Sequence, residues 1–304
     1  MNVRGQFSDF FFETQLPAMD AKIDEGRQMK PPIYNQILRE VSTDRSIKQY
    51  SGVTGVGLLR YVGEGQDADT DTIMQMFDST FRPVKYRLGI QATKELVEDD
   101  KFDIIGDRSV ALGISESQTI EVQGASVMNN AFTTIGPDGV PLCAVNHPLV
   151  KSGGVQNNTM AAADLDVTSL ELALTDWELQ RTPEGFLQMW PNPRVLVHPS
   201  NRWNATEILR SPMRSDTANN ATNAFKNTET GGIPDLIVWG QLTDPDTWFL
   251  VAPPAQTQLI WLWRKKGYTT SDYYEKSETG VVYRGYRAVP GFYGYKGVYG
   301  VPGA

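Results

Sequence analysis

Apolar and polar residues alternate most cleanly between Val84 and Gln91, where Val84, Tyr86, Leu88 and Ile90 interleave with Lys85, Arg87, Gly89 and Gln91. A period of two is that of a strand with one apolar face. Upstream, Ser51 to Gly65 carries Gly52, Gly55, Gly57, Gly63 and Gly65 among valines and leucines, which suits an extended, deformable limb rather than a helix. With the alternating Asp67, Asp69 and Asp71 as an acidic tip, residues 51–92 read as one long hairpin. A two-stranded ribbon is marginal alone in water and needs a surface to lie on.

The period then changes. From Phe102 to Phe132 no proline intervenes, and Phe102, Ile105, Leu112, Ile120, Val127 and Ala131 recur near multiples of 3.6 residues. They predict one helix over about 102–132, on the order of 40 Å long, with Gly113 and Gly124 as weak points. Just before it, Thr93 is placed to cap a short helical turn through Glu98. Gly136-Pro137-Asp138-Gly139 is a turn cluster that opens a loop-rich insert over 136–165. A helix is predicted from Val167 to Arg181, begun at Asp166 or Thr168 and stopped by Pro183.

Strands at 194–198, 233–239 and 247–252, a helix at 201–210 and a polar loop at 211–232 suggest a compact α/β unit over 184–255. From Gln258 onward the chain holds eight of its twelve tyrosines. There Leu259, Trp261 and Trp263 share one parity, and Val282, Tyr286 and Ala288 predict a further, antiparallel strand after a turn at Glu278-Thr279-Gly280. At the other end Phe7, Phe10, Phe11 and Phe12 crowd a segment too short to bury them itself. They dock either on the chain's own core, as part of a terminal helix, or on a neighbouring subunit, as an arm. The elements together make an α+β chain.

Composition narrows the function. At 304 residues, 40% hydrophobic and 21% charged, the chain can bury a sizeable core. A formal net charge of −8 lacks the basic footprint of a protein that wraps nucleic acid. The charge is uneven: residues 1–150 hold 14 basic and 21 acidic side chains, residues 256–304 seven and three. Such asymmetry fits head-to-tail contacts between copies. No apolar run of about 18 residues predicts a membrane helix, and Met1 to Gly5 lacks signal-peptide character. One cysteine and two histidines exclude an internal disulfide and leave little for zinc or acid–base chemistry.

No phosphate-binding GxxxxGK[ST], HExxH, CxxC or GxSxG pattern occurs. Gly52, Gly55 and Gly57 have the wrong spacing for a dinucleotide site. Cys143 and His147 lie four apart, but Pro141 and Pro148 argue against a helix, so the pair reads as a structural loop. His198 closes an apolar strand and reads as a core or turn histidine. Asp67/Asp69/Asp71 and Glu98-Asp99-Asp100 do not match a calcium loop and read as solvated turns. Arg264-Lys265-Lys266 with Tyr268 has the composition of a phosphate contact, yet sits where a strand end in a subunit contact is expected. Asn157, Asn204 and Asn220 head NxS/T triplets that mean nothing without a secretory signal. No catalytic, cofactor-binding or metal residue is assigned.

The order of parts resembles the major capsid protein of tailed bacteriophages, the Hong Kong 97-type fold, especially the group with Mu-type head subunits. The likeness is carried by Asp138-Gly-Val-Pro-Leu-Cys-Ala-Val-Asn-His-Pro-Leu149 after the long helix, similar to a "DG-x-PLF…HPL" stretch. The polar loop Ser211 to Asn223, and the closing Trp263-Arg-Lys-Lys-Gly267 and Tyr283-Arg-Gly-Tyr-Arg287, add to it. The resemblance implies an N-terminal arm (1–50), an extended hairpin loop (51–92) and a peripheral domain (93–183) with a spine helix over about 102–132. An axial domain (184–255) and returning strands (256–304) complete it. It implies a structural, non-enzymatic subunit without cofactor, assembling as hexamers and pentamers into an icosahedral head around double-stranded DNA that it does not read by sequence. A separate scaffolding protein and a portal are implied partners, with room for decoration proteins and no membrane. The location implied is the virion, after assembly in the host cytoplasm. No Lys and Asn positions match those of covalently crosslinked relatives. Deleting residues 54–88 is expected to leave a folded subunit that forms no shells. The alternatives are the shell protein of a bacterial encapsulating nanocompartment, and a glycan-binding protein that stacks sugars on its aromatic tail.

Overall fold

A computed structural model describes residues 11–68, 70–99, 103–188, 192–213, 223, 225 and 234–304. A π turn at Phe11–Gln15 leads into helix α1 (Leu16–Gln28), the short α2 (Tyr34–Ile37) and strand β1 (Arg39–Ser42). Next come β2 (Lys48–Val53), β3 (Gln75–Phe81), β4 (Val84–Thr93), α3 (Lys94–Glu98) and the long α4 (Ile104–Asn129). Two-residue strands β5 (His147–Pro148) and β6 (Val155–Gln156) precede α5 (Val167–Glu178), β7 (Arg194–Val197) and α6 (Arg202–Arg210). The chain closes with β8 (Asp235–Val238), β9 (Trp248–Val251), β10 (Leu259–Tyr274), β11 (Thr279–Phe292) and β12 (Val298–Val301). No helix among the described residues is long and apolar enough to cross a membrane.

Local signals place these elements well. The Thr93 side chain accepts from the Leu96 amide and caps α3, and Asp166 with Ser169 forms a reciprocal capping box on α5. Helix α4 runs 26 residues inside the predicted span, burying Ile105, Leu112, Ile120 and Val127. Ala131 is buried in the turn beyond its end, and Phe102 lies outside the described residues.

Pairing is another matter. One sheet has the order β1-β10-β11-β4 and lies against α4; β10 and β11 form a hairpin of 16 and 14 residues. Its turn is Glu275–Glu278, just ahead of the predicted one. Strand β4 pairs antiparallel with β11 from Val84↔Ala288 to Thr93↔Thr279, so the expected ribbon over 51–92 is corrected. The ribbon is β2 with β3, from Lys48↔Phe81 to Val53↔Gln75, and residues 54–74 form the loop between them. The reason is burial. Beside β11, Tyr86 stacks on Tyr286 at 5.1 Å and reaches Gln123 of α4 at 3.2 Å, contacts that a free ribbon lacks. Val84 and Leu88 share that parity yet remain exposed.

The second sheet has the order β12-β9-β7-β8 and is buried on both faces, which explains the unbroken apolar runs of β7 and β9. Leu196, Ile237, Phe249, Val251 and Val298 join α4, Trp261 and Trp263 in the main core. On the opposite face Val195, Val197, Trp248, Leu250, Tyr299 and Val301 pack with α5 and α6. The α/β unit expected within 184–255 therefore also recruits α5 from before residue 183 and β12 from the last residues. Boundaries at 183/184 and 255/256 would divide this one core.

The N-terminal alternatives are also separated. Phe11 is fully buried with Met19, Ile23, Ala92, Ile105, Leu112 and Val282, and β1 lies parallel to β10. Residues 11–42 thus belong to the subunit body and are not a free arm; Phe7, Phe10 and the Phe12 side chain lie outside the described residues.

Helices α1 and α4 touch through glycines. A Cβ on Gly113 would run into the Ile23 carbonyl and stand 2.9 Å from the Arg27 amide; one on Gly26 would run into the Val110 carbonyl. Backbone cannot yield as a flexible side chain can. Gly113→Ala should therefore destabilise the subunit by about 1–3 kcal/mol, although alanine alone favours a helix by about 1 kcal/mol. Urea unfolding reads the sign, and a stabilised variant would refute the contact.

Candidate assembly surfaces

The loop 54–74 leaves the ribbon through a braced neck. Thr54 donates its amide to the Met74 carbonyl at 2.9 Å, and the Met74 amide donates to Thr54 Oγ1 at 2.9 Å. Farther out, Asp71 Oδ2 accepts from Lys151 Nζ and from the Gly57 amide, both at 2.6 Å. Lys151 also donates to the Gly55 carbonyl, and the Gly55 amide donates to Glu184. The Lys151 ammonium, then the Gly57 amide, hold the Asp71 carboxyl below its usual range. Past this clamp the side chains lack cover: Leu58 is 72% exposed, Leu59 fully and Tyr61 96%. The tip turns at Gly63–Gln66, where Gly65 takes φ +79°, a conformation that glycine adopts freely. Contiguous exposed apolar side chains on a clamped loop mark a surface to be buried against something else.

The 138–149 stretch is a staple rather than a reactive site. Asp138 Oδ2 contacts His147 Nδ1 at 2.6 Å, His147 Nε2 contacts Asn158 Oδ1 at 3.0 Å, and the imidazole stacks on Tyr295 at 3.9 Å. Asn158, fully buried, accepts from the Ala144 amide and donates to the Leu142 and Val298 carbonyls. The insert after α4 is thereby fastened to β12. Cys143 takes no part in this network; its sulfur packs where a Cβ on Gly300 would stand. Burial pushes the Cys143 thiol far above its ordinary value. The folded subunit should therefore consume no thiol reagent such as DTNB at neutral pH, with one equivalent taken up on unfolding. Rapid labelling of the native chain would contradict this burial.

The other sequence candidates are scattered. His198 caps the turn at 199–201, its Nδ1 accepting from the Ser200 amide at 3.2 Å. Asp67 and Asp71 lie on the loop, Asp99 is exposed after α3, and Asp69, Asp100 and the Glu98 side chain fall outside the described residues. Gly52 sits in β2, Gly55 and Gly57 in the loop neck. Arg264-Lys265-Lys266 spans register irregularities in β10, with Lys265 Nζ 3.9 Å above the Tyr268 ring. Asn157 accepts from Gln156 beside it and Asn204 donates to the distant Leu165 carbonyl, whereas Asn220 and most of the 211–223 loop are outside the described residues. Trp261, Trp263, Tyr286, Tyr295 and Tyr299 are all buried, so those aromatic side chains of the tail form core rather than a sugar-stacking groove.

One cluster escaped the sequence reading. Arg284, buried on β11, donates from Nε to Glu116 Oε2 of α4 at 2.7 Å and from Nη2 to Asp24 Oδ1 of α1 at 3.0 Å. It also reaches Asp20 and Thr269 from Nη1. A cation at the inward parity of an apolar strand, between Val282 and Tyr286, was the available signal.

The profile of the phage capsid protein family matches residues 77–301. No curated protein matches the sequence. Among solved structures, the capsid of the cyanophage P-SCSP1u has a TM-score of 0.61 at 10% identity over 90% of this chain and 89% of that one. The capsid of a native GTA particle gives 0.57 at 14% identity over 91% and 94%, and a virus-like particle from Pyrococcus furiosus 0.54 at 10% identity over 93% and 97%. Identities this low speak for the fold, and the family profile, covering most of the chain, speaks for descent. Fold and family profile agree: this chain has a Hong Kong 97-type fold, belongs to the phage capsid protein family and is a structural protein of the virion shell.

Proposed function

We propose that copies of this subunit form the hexamers and pentamers of an icosahedral head enclosing double-stranded DNA, each laying its loop 54–74 over a neighbour. The uncovered Leu58, Leu59 and Tyr61 beyond the Lys151–Asp71 clamp carry the reading. A shell subunit must bury its apolar surface against copies, since obligate interfaces resemble a core cut in half. The net acidic charge suits a container wall that neither reads nor grips the packaged DNA. The role is structural and non-enzymatic, with a scaffolding protein, a portal and decoration proteins as partners and assembly in the host cytoplasm; family resemblance supports these finer points. In the domain division we adopt, the loop is 54–74, β4 belongs to the peripheral sheet, and α5 and β12 belong to the axial unit. Negative-stain electron microscopy of the purified protein, with and without co-expressed neighbouring genes, tests the reading. Closed shells or tubes are expected. A strict monomer under every assembly condition would overturn it, and shells loaded with a cargo enzyme would favour the nanocompartment alternative.

A further inference from the structure

The sheet β1-β10-β11-β4 has two unlike faces. Tyr86, Arg284 and Tyr286 face α4. On the opposite face the ladder places Lys265 directly across from Arg287, and Arg287 directly across from Lys85, so three cations form one row over three strands. The next row holds Tyr268, Gly285 and Arg87, whose guanidinium lies 3.9 Å above the Tyr283 ring. Like charges directly opposite one another destabilise a sheet. None of the four cations has a carboxylate partner among the described residues, and Arg287 Nε is buried without a hydrogen-bond acceptor. In a chain of net charge −8, such a row calls for an anionic partner.

The same face also launches the loop. The ribbon packs onto it through Tyr50 and Phe81, which cover Ile260, Leu262 and Val289 farther along the same strands. In a closed homo-oligomeric shell every copy carries both this face and this loop. A loop that reaches a neighbour therefore meets a copy bearing the same basic row. That tip exposes Glu64 and Asp67, neither with a partner among the described residues, whereas Asp71 is already engaged by Lys151.

We infer that the basic row Lys85–Arg287–Lys265, with Arg87 beside it, is the seat for the acidic loop tip of a second copy, held by ion pairs to Glu64 and Asp67. This rests on the reading that the loop reaches a neighbour, and it names the chemistry of that contact.

Charge exchange tests it on the full chain. Lys85→Glu with Lys265→Glu should cut shell yield about tenfold, as like charges then meet, and Glu64→Lys with Asp67→Lys should do the same. Combining all four should restore shells. Both pairs of sites are exposed, and an unchanged melting temperature of the unassembled subunit shows that folding is intact. In shells made from mixed isotope-labelled chains, carbodiimide should join Lys85 or Lys265 of one copy to Glu64 or Asp67 of another. Loop cross-links to a different surface, without rescue in the fourfold variant, would overturn the seat while leaving the loop reading intact. Shells that survive loss of the loop would overturn both. Basic-row variants that assemble normally but retain less nucleic acid would overturn the seat and assign the row to phosphate contacts.

Discussion

A chain in which residues 55–73 are replaced by Asn-Gly is expected to fold as a monomer and to form no shells. Thr54 and Met74 already face one another through two hydrogen bonds, so a two-residue turn closes the ribbon there. The body loses the contacts of Lys151 and Glu184 with the loop, surface contacts whose net contribution is small because water competes for both partners. Assembly loses far more, because Leu58, Leu59 and Tyr61 would each contribute roughly 1.5–3 kcal/mol per contact once buried against a neighbour. Sedimentation velocity and electron microscopy read the outcome, and shells in normal yield would remove the loop from the assembly mechanism. The broader deletion of 54–88 is the wrong experiment. It takes away Phe81 and half of β4, so it is expected to unfold the subunit rather than to isolate a loop effect.

Arg284→Ala should destabilise the subunit by about 3–5 kcal/mol, because it strands Glu116 as a buried, uncompensated charge. The Arg284 and Glu116 side chains are 7% and 4% exposed, whereas Asp20 and Asp24 are nearly half exposed and can return to water. Glu116 therefore sets the size of the loss. Removing the whole pair, as in Arg284→Met with Glu116→Leu, should recover most of it, since apolar replacements of similar volume often match a buried ion pair. Urea unfolding of the unassembled subunit measures both variants. A loss below about 1 kcal/mol for Arg284→Ala would mean that water reaches Glu116 freely.

Much of the local architecture is legible in the sequence. Helix α4, the caps at Thr93 and Asp166, and the shared parity of Leu259, Trp261 and Trp263 depend on residues within a turn or two of one another. Periodicity and capping are local physics, carried whole by the sequence. It also marked the 138–149 stretch, though not that Asp138, His147 and Asn158 fasten it to β12. Partners were beyond it. A strand's alternation says which face is apolar, not which strand lies alongside, and β4 finds β11, about 190 residues later, through burial against α4. Gly113 likewise looks like a weak point within its own helix and becomes a contact only when α1 arrives. Arg284 is an isolated cation until α1 and α4 bring it carboxylates. These features arise only on folding, because the free energy of each lies in surfaces that distant segments bury together, and no window along the chain contains both sides.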